Sequence, residues 1–181
     1  MYDDPERFIW DDLMAKMGNA YAVAGLMGNL YAESALNPHD LQGTSEKKLG
    51  MTDEFYTAAV NDGSYVNFIN DGAGYGIAQW TYYSRKRKLL AYAQERGISI
   101  GDLKMQLDFL WQEMGDDFEA VLSALVASQS VREASDIVLM KYGSPPIKAP
   151  RFKKNGLLSH SGITTSTPPL RSPSIPSPSK T

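Results

Sequence analysis

Apolar residues recur at three- and four-residue spacing along most of this chain, the signature of helices with one buried face. Phe8, Ile9, Leu13 and Met17 form a first stripe, opened by Asp3 or Asp4 as cap with Pro5 in the opening turn and closed near Gly18. A second run, Ala20 to Ala32, is apolar or small on nearly every side, with Val23, Met27 and Leu30 at helical spacing, and therefore reads as a central buried helix. Asn19 is its expected cap, and Asn37-Pro38 its expected end, because the residue before proline is pushed out of the helical region. Gly25 and Gly28 within it predict close helix packing, since glycine inside a helix otherwise costs up to about 1 kcal/mol.

Further helices are expected from Thr52 or Asp53 (Phe55, Tyr56, Ala59, Val60), from Ser84 to a stop at Gly97 (Leu89, Leu90, Ala93), and from Asp102 to Met114 (Leu103, Leu107, Leu110). Two more follow, Asp116 to Ala127 and a last one opened by the capping box Ser130 to Glu133 and running to Tyr142, before Gly143-Ser-Pro-Pro stops it. Residues 39–50 are polar and read as a loop over a cleft. SYVNFI at 64–69 has the β-branched and aromatic character of a short strand, and Asn70-Asp71-Gly72 is a hairpin signal. The glycines at 72, 74 and 76 suit a backbone that turns tightly and approaches a ligand closely. The expected fold is mainly α, in the α+β manner: a helical bundle around a buried central helix, with a small β-hairpin lining the cleft.

After Pro146 the periodicity disappears, so residues 1–146 are expected to form the domain and 147–181 a Pro/Ser-rich basic tail without fixed structure. A linker to a further module or an altered reading frame would each look like this. The 181 residues carry a net charge of −3, but the last 35 hold six Lys or Arg and no acid, which leaves 12 basic against 21 acidic residues before them, a net of −9. So acidic a core argues against nucleic acid as partner. There is no cysteine, which excludes a disulfide framework and a thiol nucleophile. His39 and His160 lack the spacing of a zinc site, so neither a metal nor another cofactor is implied. The first residues lack the positive flank and apolar run of a signal peptide, and no apolar stretch is long enough to span a bilayer. The expectation is a soluble chain that a phage particle, a membrane pore or a longer parent protein delivers to its site of action.

Two motifs carry chemistry. The buried helix ends in Glu33-Ser34, where desolvation and the negative end of the helix dipole both favour the protonated acid, the form that can protonate a poor leaving group such as a glycosidic oxygen. Forty-odd residues later stands GYGIAQW, residues 74–80. Together, in this order, Glu33-Ser34 with Asn37-Pro38 and Gly76-Ile77-Ala78-Gln79 resemble the phage tail lysozyme family, within the wider group of goose-type lysozymes and lytic transglycosylases, over residues 5 to about 146. The resemblance implies a muramidase that cleaves the β-1,4 bond between N-acetylmuramic acid and N-acetylglucosamine in peptidoglycan, with Glu33 as general acid and Gln79 shaping the sugar cleft beside Ser34. Tyr75 and Trp80 flank the turn as candidates to pack on pyranose faces, and Tyr142 is a candidate for the cleft wall. Inverting hydrolysis also needs a carboxylate base. Asp71, eight residues before Gln79, is the first candidate and Asp40 the second.

Ile77-Ala78 replaces the Leu-Met of the transglycosylase motif, and their later Ala-Tyr-Asn element is not found, which favours hydrolysis over cyclisation to an anhydro sugar. The alternatives are that transglycosylase chemistry, a non-catalytic glycan-binding or structural descendant of the fold, or a helical adaptor. Arg85 to Lys88, four cations in the first turn of a helix, are either a solvated face or a hold for the carboxylates of wall peptides. Expected partners are glycan strands, with a phage tail or a cell-wall-binding module as possible associates.

Overall fold

A computed structural model of the chain describes residues 4–142; the expected tail, and the Gly143-Ser-Pro-Pro stop before it, lie outside them. Eight helices follow one another among the described residues: α1 (Pro5–Met17), α2 (Ala20–Ser34), α3 (Gly43–Leu49), α4 (Asp53–Asn61), α5 (Tyr83–Arg96), α6 (Leu103–Asp117), α7 (Glu119–Val126) and α8 (Val131–Lys141). The caps act as the residue types dictate. The side chains of Asp4, Asn19, Thr52, Asp102 and Ser130 each accept an N–H from the first turn they open. The capping box on α8 closes one residue early, for the Glu133 carboxylate accepts the N–H of Gln129 at 2.8 Å and not that of Ser130.

α2 runs through the middle of the bundle, with Ala22, Val23, Leu26 and Leu30 essentially without exposure. It packs chiefly on α8 and next on α1. The α2–α8 approach requires Gly25, since a Cβ there would lie 2.4 Å from Ala134 Cβ. Gly28 has open space instead, so the close-packing expectation holds for one glycine of the two.

Two expectations need correction. Residues 43–49, read as loop, contain α3, a helix with no buried residue, which leaves no apolar stripe to read. The β-hairpin is not present among the described residues, where no strand forms and one isolated antiparallel bridge, Leu41 to Tyr75, stands in its place. The reason lies in the backbone of 64–70, which satisfies itself locally: Ser64 N–H donates to the Asp62 side chain, Tyr65 N–H to Ala59 O and Asn70 N–H to Asn67 O. A β-branched residue such as Val66, 87% exposed, has no neighbouring strand to pack against.

α2 ends with two consecutive non-glycine residues in the left-handed region, Ala35 (φ 51°) and Leu36 (φ 63°). Such a conformation costs a residue with a Cβ about 1–2 kcal/mol. The turn persists because Leu36 is buried and because the Asn37 side chain bonds both Asp53 (3.1 Å) and His39 N–H (3.0 Å). Ala35 is exposed and its Cβ adds strain without packing. Ala35→Gly is therefore expected to stabilise the domain by about 1 kcal/mol, read as a higher urea midpoint at unchanged slope. A lower midpoint would show that the turn is not strained at this residue.

Candidate functional site

The loop before α3 and the glycine turn are held together as two antiparallel strips. Gln42 N–H donates to Gly74 O and Gly76 N–H to Asp40 O, both at 2.9 Å. Around them Gln106, Gln79 and Ser34 fix the turn, the first and last of them buried. Gln106 of α6 accepts Ile77 N–H at 2.9 Å and donates to Pro38 O (2.7 Å) and Ile100 O (2.6 Å). Gly76 (φ 74°) leaves room for that amide, since a Cβ would stand 2.7 Å from Gln106 Oε1. Likewise a Cβ on Gly74 would meet Gln79 Oε1 at 2.5 Å. The glycines thus admit two side chains of the protein itself, where the sequence had suggested a ligand. Ser34 closes the arrangement from α2: its hydroxyl lies 3.1 Å from both Leu30 O and Ile77 O and its one hydrogen is shared between them.

The result is a cleft of about 290 Å³ whose walls include Asn29, Leu30 and Glu33 of α2, Gln42, Gln79 and Thr81 of the loops, Tyr82 and Arg85, and Val138, Leu139 and Tyr142 beyond. Glu33 is exposed at its edge, in place of the desolvated carboxyl that a buried helix had suggested. Within one helical turn α2 passes from buried Leu30 to exposed Glu33, and both are among the residues that line the cleft. Among the described residues lining the cleft, Glu33 is the one acid and Arg85 the one cation. Gln79 (φ 45°) stands in the same cleft, its Nε2 donating to Asp40 Oδ2 (2.7 Å), Asp40 O (3.1 Å) and Gly76 O (3.2 Å). Asp40 is half-buried behind it. Burial first, then the charges of Asp53 and Glu46, push its pKa up to about 6.

The other expected site residues are placed elsewhere. Asp71 does not line the cleft. Its carboxylate is sealed, accepting Lys86 Nζ (2.7 Å), Tyr56 OH (2.5 Å), Tyr65 OH (3.2 Å) and Ala73 N–H (2.9 Å), and so has no water to activate. Lys86 in turn spends its three hydrogens on Asp71, Tyr56 OH (3.0 Å) and Ala73 O (2.8 Å), and burial, opposed by Asp71, pulls its pKa down. Tyr75 and Trp80 are buried to zero exposure and present no face to a sugar: Tyr75 OH pairs with Thr57 Oγ1 at 2.7 Å, and Trp80 Nε1 donates to Glu113 at 3.0 Å. Ser34 is buried between helix and turn and does not line the cleft. Tyr142 does line it, with its ring as wall and its hydroxyl turned inward to Glu113 at 2.5 Å.

Sequence reasoning missed Asn29, Gln42, Thr81 and Tyr82, which are scattered along the chain and carry no shared motif. It also misread the RKRK run. Arg85 and Lys86 are buried, Arg85 bonding Glu113 through Nε (2.7 Å) and Nη2 (2.6 Å); Lys88 pairs with Asp117; Arg87 lies over the Tyr83 ring. No described helix is long and apolar enough to cross a membrane. A larger groove of about 650 Å³, lined by Leu36, Pro38, His39 and Leu103 among others, includes neither Glu33 nor any residue of the glycine turn.

Compared with known proteins, residues 5–155 match the phage tail lysozyme family. No curated protein and no solved structure matches the chain.

Proposed function

Because the chain belongs to the phage tail lysozyme family, we propose that it hydrolyses the β-1,4 bond between N-acetylmuramic acid and N-acetylglucosamine in peptidoglycan, with Glu33 as general acid. Family membership itself gives a lysozyme-like action on peptidoglycan. The finer reading rests on one observation: Glu33, at the end of the buried helix, opens on a cleft whose wall also carries Gln79 of the second motif.

In this reading a glycan strand fills the cleft against Glu33, whose carboxyl gives its proton to the glycosidic oxygen. The C1–O bond breaks with the electron pair leaving on that oxygen, and positive charge develops on the sugar ring. Water then adds at C1. Asp71 is sealed and cannot take the proton of that water; Asp40, behind Gln79, is the carboxylate with near-neutral affinity and takes the role of base. The second reading, a lytic transglycosylase, is favoured by Glu33 being the one acid among the residues lining the cleft: one carboxylate can act first as acid and then as base toward a hydroxyl of the substrate. Mass spectrometry of the soluble products decides between them. Reducing-end muropeptides mean hydrolysis, and anhydro-muropeptides overturn it. No product from walls of several bacterial types would leave a glycan-binding descendant of the fold.

Asp40 supplies a pH test. Its folded-state pKa, about 6, lies above the ordinary 3.8, so its contribution to stability is complete below 3.8 and is lost as pH rises through about 6. The carboxyl carbon of Asp40 is expected to titrate in NMR with a midpoint near that value, and Asp40→Asn to remove this part of the pH dependence of the urea midpoint. If Asp40 is the base, the acid limb of the rate profile follows the same group and vanishes with it. Unaltered hydrolysis by Asp40→Asn at all pH values would remove Asp40 from the mechanism.

A further inference from the structure

Gln106 has no part in the proposed reaction and does not line the cleft, yet it is a polar side chain without exposure on α6, beside buried Leu103, Met105, Leu107 and Leu110. A carboxamide is costly in such a place unless its polar atoms are all paired. Here they are, and none of the partners belongs to its own helix. Oε1 accepts Ile77 N–H, and the two hydrogens of Nε2 go to Pro38 O and Ile100 O. Pro38 stands just beyond the turn that ends α2, Ile77 lies in the glycine turn, and Ile100 precedes α6, so one side chain ties both motifs to a common support. The junction needs one acceptor and two donors diverging from a single carbon. A carboxamide supplies them; a carboxylate lacks the donors, and a hydroxyl has one hydrogen only. The support itself is anchored, for the Asp102 cap accepts Met105 N–H at 2.8 Å and Gln106 N–H closes the first turn of α6 on Asp102 O at 3.0 Å.

Ile77 is held from both sides, its N–H by Gln106 and its carbonyl by the hydroxyl of Ser34, at 3.1 Å. Ser34 is one residue from Glu33, and Ile77 is two residues from Gln79; Glu33 and Gln79 both line the cleft. The separation of these two side chains therefore depends on where Ile77 is gripped. Resting on the reading of this cleft as the place of cleavage, we propose that Gln106 is a positioning residue: through Ile77 it sets where Gln79 stands relative to Glu33, and thereby the rate of the chemical step, without touching the substrate. A misplacement of about 1 Å near a reacting centre costs about a hundredfold in rate, and Gln106→Asn, shorter by one C–C bond of about 1.5 Å, either draws the turn by that order or loses its grip on it.

The test compares the full chain with Gln106→Asn, Gln106→Met and, as a control for lost stability, Leu13→Ala, which opens a cavity beside α1, a helix with no residue in the lining of the cleft. Rates on soluble glycan strands are taken per folded molecule, at a temperature at which circular dichroism shows each protein folded. The expected result for Gln106→Asn is a kcat lower by about ten- to a hundredfold with KM changed by less than about threefold, because the remaining walls of the cleft stay in place. Gln106→Met, which keeps the bulk and loses every polar atom, should fall at least as far, while Leu13→Ala keeps the unsubstituted rate. An unchanged kcat in Gln106→Asn overturns the proposal, whether or not KM rises. So does an equal loss in Leu13→Ala, which would make the effect one of general loosening. Should Gln106→Met not fold, Gln106→Asn decides alone, since it keeps the acceptor and both donors. The side-chain amide of Gln79, followed by NMR, is a readout that needs no turnover: its resonance is expected to move in Gln106→Asn and to stay in Leu13→Ala. If the unsubstituted chain releases no product, the hydrolase reading falls and this resonance decides the positioning role by itself, an unmoved signal in Gln106→Asn overturning it.

Discussion

Glu33→Gln is expected to lower the rate of peptidoglycan cleavage by about 10²–10⁴-fold, the range that a positioned general acid supplies. On the proposed reading the substitution removes the proton donor and changes little else. Glu33 is exposed and in no ion pair of the described residues, so its replacement by an isosteric amide should leave the thermal midpoint almost where it was, as surface substitutions do. That combination, a collapsed rate on an intact fold, separates catalysis from packing. Clearing of purified walls, with chromatography of the released muropeptides, measures it. Full activity in Glu33→Gln would sink both the hydrolase and the transglycosylase readings, because each requires this proton. A glycan-binding descendant would instead show no release from either protein.

The largest effect on stability is expected at Glu113. Its side chain has no exposure and receives four donors, Arg85 Nε, Arg85 Nη2, Trp80 Nε1 and Tyr142 OH. Glu113→Ala strands a buried guanidinium and leaves two further donors without an acceptor. Breaking one side of such a pair typically costs about 3–5 kcal/mol, a large share of the roughly 5–15 kcal/mol that holds a domain folded. With the usual urea dependence the midpoint should fall by about 2 M. Glu113→Gln, which keeps one acceptor oxygen, should fall between. Equal midpoints for Glu113→Ala and the unsubstituted chain would mean that water replaces the carboxylate without loss. The same cluster forms the floor of the cleft through Arg85 and Tyr142, so an activity loss in a folded Glu113 variant would follow from the floor shifting, with Glu33 untouched.

Much of the bundle could be read in advance because it follows from local chemistry. Asn19, Thr52, Asp102 and Ser130 cap helices because a short polar side chain reaches the free N–H groups of the first turn, whatever lies around it. Gly97 ends α5 in the left-handed region for an equally local reason. The stripe on α6 and the apolar run of α2 gave their buried faces by spacing alone. That Glu33 and Gln79 belong together came from the resemblance of their two motifs to a known family, and both residues line one cleft.

Partners that lie far apart in sequence were not readable in this way. Asp71 reads as a free acid near the glycine motif until Lys86, fifteen residues on, and Tyr56, fifteen before, enclose it. Trp80 and Tyr75 read as sugar platforms until burial removes their faces from solvent, and the RKRK run reads as a charged surface until α5 docks and turns Arg85 and Lys86 inward. An aspartate, an aromatic or an arginine is equally at home in a core or a cleft, and burial with a fitting partner is what distinguishes the two. Helices, their ends and the acid at the tip of α2 are local facts, written in the order of residues. The walls and floor of the cleft, and the carboxylates and cations withdrawn from it, arise when segments fifteen or more residues apart meet and compete for the same hydrogen bonds.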